Sequence, residues 1–121
     1  MVICPQTRQI SADGKDEALE SYAGYIPGKF DEISGTFIAA GPRQMFDYGI
    51  DFYSPQSFVD SRGRRIMTGW MSRMDAGQEE SCPTRAHGYI HCLSLPRVLT
   101  WEDGALRQRP VPELLSLRRF L

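Results

Sequence analysis

The chain has 121 residues, with 14 basic and 15 acidic side chains and a formal net charge of −1. That is one domain's worth of polypeptide, without the broad field that draws a protein to nucleic acid or to an anionic membrane. No apolar run approaches the roughly 20 residues of a membrane helix, and the N-terminus lacks the basic start and long apolar stretch of a secretory signal, so the expected setting is cytoplasmic.

The predicted elements are mostly strands. Val2 to Pro5 is a short apolar run closed by proline, and Tyr22 to Ile26 carries aromatic and β-branched residues before the Pro27-Gly28 break. Thr7 to Glu20 between them is polar, with a turn at Asp13-Gly14 and room for a helical turn over Lys15 to Leu19. Gly35 to Ala40 is a further strand, Gly41-Pro42 punctuates, and Phe46 to Phe58 (FDYGIDFYSPQSF) follows as the next. Asp60 to Gly63 is a compact turn, and Arg64 to Met71 has apolar groups on both faces, which predicts an interior strand.

Residues 72–87 read as a loop, because their composition offers nothing to bury. Tyr89 to Leu95 alternates as a strand and Pro96 interrupts it. Val98 to Trp101 then pairs with Ala105 to Gln108 across Glu102-Asp103-Gly104, a hairpin signal. From Pro112 a short helix is expected, with Leu114, Leu115 and Leu117 inward. Short strands, frequent turns and little helix give an all-β fold; sandwich, barrel and propeller all remain open at this level.

The stretch from Phe46 to Phe58 crowds charge and rings together. On a strand, Asp47, Gly49, Asp51 and Tyr53 share one face, unless Gly49 makes a bulge. The two aspartates are either turn caps or a polar edge for a ligand. Sugars are held by carboxylates and amides that take their hydroxyls, beside aromatic faces that cover C–H surface; Asp47, Asp51, Gln56, Tyr53 and Trp70 supply both kinds. The aspartates do not fit as the two carboxylates of a retaining glycosidase, which lie about 5 to 5.5 Å apart, because four residues of strand span roughly 13 Å.

Cys4, Cys82 and Cys92 are odd in number, without CxxC spacing, and read as free thiols. Cys82, His87, His91 and Cys92 are zinc-ligand types, yet the adjacent His91 and Cys92 would point to opposite faces of a strand, so no metal and no cofactor is expected. Arg62, Arg64 and Arg65 read as a solvated hairpin tip rather than a phosphate patch, since no further basic run extends them. Arg118 and Arg119 are read as solvated charge.

Five stretches carry a likeness: VICPQ at 2–6, YAGYIPGKFD at 22–31, FDYGIDFYSPQSFVDSRGRRIMTGWM at 46–71, GYIHCLSLPRVLT at 88–100 and LRQRPVPELLSLR at 106–118. In order and spacing they resemble consecutive pieces of glycoside hydrolase family 32, the invertases, sucrose-6-phosphate hydrolases, levanases and inulinases. The resemblance implies a five-bladed β-propeller with a fructosyl site in its funnel, followed by a β-sandwich. It further implies that residues 1–110 are about two blades of antiparallel strands from the C-terminal part of the propeller, and that 111–121 begin a linker segment toward the sandwich.

The family's nucleophile lies in an Asn-Asp-Pro motif, its transition-state stabiliser in Arg-Asp-Pro and its acid/base in Glu-Cys. None of these occurs here, and the chain has no Asn at all. The resemblance therefore implies no catalytic residue in this chain and a site completed by N-terminal blades that it lacks. Asp47, Asp51, Tyr53 and Trp70 are expected to position a small sugar: sucrose, sucrose-6-phosphate or a fructan. The alternatives are a non-catalytic fructoside-binding remnant and a truncation product without function. Gly88-Tyr89 stands where the family has Gly-Trp. Val98 stands where it has Glu, which removes an ion-pair partner for Arg97.

Overall fold

Turn chemistry lays out the strands of this chain, and the computed structural model describes residues 1–10, 16–49, 51–71 and 76–118. They divide into two compact units, Met1–Ser54 and Pro55–Leu121. Among the described residues the architecture is all-β except for one six-residue α-helix and two 3-10 turns. Among the described residues no helix is long and apolar enough to cross a membrane.

The first unit holds β1 (Val2–Ile3), β2 (Gln6–Ile10), β3 (Asp16–Ser21), β4 (Gly24–Tyr25), β5 (Gly28–Asp31), β6 (Thr36–Ala39) and β7 (Gln44–Met45), and β8 (Phe52–Val59) begins in it. β4 is the centre of an antiparallel sheet ordered β1-β4-β7. β2 with β3 and β5 with β6 are antiparallel hairpins. The second hairpin turns on Asp31, which accepts from the Ile33 amide at 3.0 Å and the Ser34 hydroxyl at 2.8 Å, and on Gly35 at φ 67°. Ala23, Tyr25, Phe46 and Phe52 are buried. The rings of Tyr25 and Phe46 stand 5.3 Å apart at 45°, and each such side chain contributes about 1.5–3 kcal/mol by leaving water.

The second unit takes the rest of β8, then β9 (Arg65–Met71), α1 (Ala76–Ser81), a 3-10 turn at Pro83–His87, β10 (Cys92–Leu93), β11 (Arg97–Glu102), β12 (Ala105–Pro110) and a 3-10 turn at Pro112–Leu117. β9 is interior, as its two-faced apolar pattern predicts: β8 pairs with it, and β10 and β11 pair with it too. Leu93 faces Trp70 and Arg97 faces Met67, so four steps on one strand meet three on the other, which is a bulge. Ser94 bridges it: its amide donates to Gly69 O at 2.8 Å and its hydroxyl accepts from the Gly69 amide at 3.0 Å. The β11–β12 hairpin turns on Asp103 and Gly104, at φ 51° and 74°, the two left-handed residues that a tight hairpin needs. Ile66, Met67 and Val111 form this unit's core.

Several expectations are corrected. Residues 16–19 belong to β3 rather than to a helical turn, because backbone pairing with β2 needs no apolar periodicity; Lys15 and the Asp13-Gly14 turn lie outside the described residues. Phe46 to Gly49 and Asp51 are not strand: the extended run starts only at Phe52. Within the expected loop at 72–87, α1 forms with Ala, Gln and Glu, good helix formers, and a 3-10 turn starts at Pro83; residues 72–75 lie outside the described ones. The strand expected over Tyr89 to Leu95 shortens to Cys92–Leu93. At the tail the proline starts a 3-10 turn as predicted, yet Leu115 and Leu117 are 59% and 74% exposed rather than inward. They line an apolar groove of about 590 Å³ with Leu95, Pro110, Val111 and Leu114.

Candidate functional site

Three of the four candidate residues fall in the first unit. After buried Phe46 the chain bends, and Asp47 Oδ1 accepts the Gly49 amide at 2.8 Å, an Asx turn. The cap reading of Asp47 thus holds for one of its oxygens. A Cβ at Gly49 would lie 2.9 Å from that same oxygen, so a larger residue there would make the carboxylate shift. Asp51 is half-buried and leads into β8, where buried Phe52 anchors the strand. Tyr53 follows, and its hydroxyl donates to Cys4 O at 3.1 Å. Ser54 has φ 45°, rare for a residue with a Cβ, and the irregularity breaks alternation: Phe52 and Pro55, three apart, are both buried. Gln56 is exposed.

Trp70 belongs to the second unit, near the end of β9, and is 41% exposed. Its indole meets His91 edge-on, with ring centroids 5.4 Å apart at 87°. His91 Nε2 lies 3.1 Å from Glu79 Oε1 of α1. The cluster of Trp70, His91 and Glu79 was not foreseen from sequence, although a signal existed. Once Leu93 is placed opposite Trp70, His91 two residues earlier is its diagonal neighbour on the same face. Glu79 has no such signal, because its helix looked like loop.

Two of the zinc-type residues, Cys82 and His91, are otherwise engaged. Cys82 Sγ is 3.1 Å from Thr84 Oγ1 and 3.9 Å from Ile90 O, and His91 turns to Glu79. Among the described residues no group of three or more His, Cys, Asp or Glu is placed to hold a metal ion. Cys4, Cys82 and Cys92 are all free thiols.

The basic tip is more than solvated charge. Arg64 bridges Asp60 and Glu113, each at 2.8 Å, and Arg62 reaches Glu113 at 2.9 Å. Hydrogen bonding by Arg64 holds the Glu113 carboxyl below its ordinary range, and the two acids in turn raise the Arg64 guanidinium. Burial pushes Asp60 up, but the backbone and side-chain bonds from Arg64 outweigh it and the carboxyl sits low. These arginines pin the turn after β8 to the 3-10 turn at Pro112–Leu117. Arg97 donates to Gln108 Oε1 at 3.0 Å.

The model of the glycosyl hydrolases family 32 N-terminal domain matches residues 1–110. A sucrose-6-phosphate hydrolase of Staphylococcus xylosus is 42% identical over 118 residues, covering 98% of this chain and 22% of the relative. Among solved structures, the Bombyx mori family 32 β-fructofuranosidase superposes with a TM-score of 0.71 at 23% identity, over 83% of this chain and 20% of that one. The sucrose-6-phosphate hydrolase from Lactobacillus gasseri gives 0.69 at 26% identity, over 82% and 20%. The chain thus spans about a fifth of the length of the relatives it matches, and its fold at the coarse level is that of propeller enzymes.

Proposed function

Because the chain belongs to glycosyl hydrolase family 32, we propose that it is part of the sugar-cleaving propeller of a β-fructofuranosidase, carrying groups that position substrate rather than those that break the bond. Residues 1–110 are then about two blades from the C-terminal part of a five-bladed propeller, and 111–121 begin the linker to a β-sandwich. The observation that carries this reading is the family match over residues 1–110 together with the lack of any Asn-Asp-Pro, Arg-Asp-Pro or Glu-Cys motif in the sequence.

The substrate is sucrose or its 6-phosphate, supported by the names of the relatives, sucrose-6-phosphate hydrolases among them, and the setting is cytoplasmic. In the complete enzyme a carboxylate on other blades attacks the fructosyl anomeric carbon while a protonated carboxyl gives its proton to the leaving glucosyl oxygen; water then releases fructose. Asp47 and Asp51 accept sugar hydroxyls, and Trp70 offers an apolar face to C–H surface. Tyr53 contributes its ring, since its hydroxyl is bonded to Cys4 O. The missing motifs also favour a second reading, a fructoside-binding remnant without turnover.

The test is kinetic. In the full-length Staphylococcus xylosus relative, replacing by alanine the residue that matches Asp47, where it is an aspartate, removes a charge-assisted hydrogen bond of about 1.5–3 kcal/mol, so kcat/KM on sucrose-6-phosphate falls about ten- to a hundredfold. Unchanged kinetics would take this aspartate out of the site. The 121-residue chain by itself releases no fructose from sucrose or its 6-phosphate; release above the blank would overturn the division of labour.

A further inference from the structure

Three elements of the second unit converge on one indole. β9 supplies Trp70, the segment entering β10 supplies His91, and α1 supplies Glu79. A carboxylate can only accept, so the proton of the 3.1 Å contact belongs to His91 Nε2. That bond fixes which way the imidazole plane stands, as a carboxylate does for histidines elsewhere. The plane in turn meets the indole at 87°, the edge-to-face arrangement that aromatic pairs prefer. Both members of the Glu79–His91 pair keep about a third of their side chains exposed, at 33% and 35%, so the contact is not explained as core packing. What it holds is an indole left 41% open to solvent.

We propose that His91, itself oriented by Glu79, is a positioning residue that sets the ring orientation of Trp70 and thereby the apolar platform on which a sugar lies. The helix α1 serves to deliver Glu79. The platform clause rests on the sugar-binding reading given above; the orientation clause does not.

The experiment is NMR on the full 121-residue chain labelled with 15N. Trp70 and Trp101 give two indole N–H signals, assigned by Trp70→Phe and Trp101→Phe, and Trp101 serves as the internal control. In the unsubstituted chain we expect cross-relaxation between the His91 and Trp70 ring protons and a nitrogen shift pattern with the proton on Nε2. Either an absent contact or a proton on Nδ1 alone overturns the proposal, and neither reading depends on a variant that folds. His91→Ala and Glu79→Ala should each move the Trp70 indole signal by more than its linewidth while Trp101 stays in place. Glu79→Gln, whose amide oxygen still accepts from Nε2, should return the Trp70 signal toward its original position. An unmoved Trp70 signal in both alanine variants overturns the orientation clause. Adding sucrose or sucrose-6-phosphate separates the two clauses: a shifted Trp70 signal supports the platform and an unmoved one removes it for this chain alone, while the sugar-free spectra decide whether His91 orients the indole.

Discussion

Tyr53 shows how a residue chosen for one reason is held by another. Its ring and hydroxyl are sugar-binding chemistry, yet the hydroxyl donates to Cys4 O at 3.1 Å across 49 residues of chain. Removing it leaves a part-buried carbonyl with one donor fewer, at a cost of about 0.5–1.5 kcal/mol. Tyr53→Phe should therefore lower the urea midpoint of unfolding without changing the slope of the transition, and in a full-length relative the matching change should leave KM for the sugar where it was. A raised KM with an unaltered midpoint would show that the hydroxyl serves the substrate. Asp47 makes the same point from the other side, because a cap and a sugar contact use the same chemistry and sequence alone could not divide its two oxygens between them.

At the scale of elements, what was legible in the sequence followed turn chemistry. Asp103-Gly104 announced the β11–β12 hairpin, and a two-faced apolar pattern announced that β9 is interior, since both signals are local and physical. The β2–β3 hairpin and α1 were hidden because polar segments held by backbone bonds, or by one ion pair, leave no apolar period to read. The β11–β12 hairpin also carries a charge device: Arg109 grips Glu102 with two nitrogens, at 2.6 and 2.8 Å, and Thr100 adds a third bond at 2.8 Å. Hydrogen bonding by Arg109, then by Thr100, holds Glu102 down at about 2, against an ordinary value of 4.5. A carboxyl depressed on folding adds stability above its unfolded value and loses it as pH falls through the folded one. The wild-type melting temperature should thus decline between about pH 4.5 and 2, and Glu102→Gln should flatten that part of the profile. Identical profiles for the two would show that the fork adds nothing in this exposed setting, as many surface ion pairs do not.

At the scale of the whole molecule, the class of fold was readable and the covering of its surfaces was not, because pattern shows which residues are apolar and never what lies against them. In the first unit Phe30, Ile33 and Ile38 are 57%, 99% and 61% exposed on and beside the β5–β6 hairpin. In the second, Leu95, Leu115 and Leu117 are 64%, 59% and 74% exposed around the apolar groove. Among the described residues, β6 pairs only with β5 and β12 only with β11, so one edge of each is open. Large contiguous apolar patches and unpaired edges are the features that recruit further chains. A stable contact needs roughly 1,200 Å² or more of total buried surface. Sedimentation velocity should consequently show the mean mass of the chain rising across the micromolar range in which exposed apolar surface drives association. Leu115→Lys with Leu117→Lys places two charges at the groove and should move the distribution toward monomer, while Ile33→Lys does the same for the hairpin surface. A single monomer peak at every concentration, unaltered by these substitutions, would show that neither surface is sticky and would remove the physical reason for thinking that these strands require neighbours.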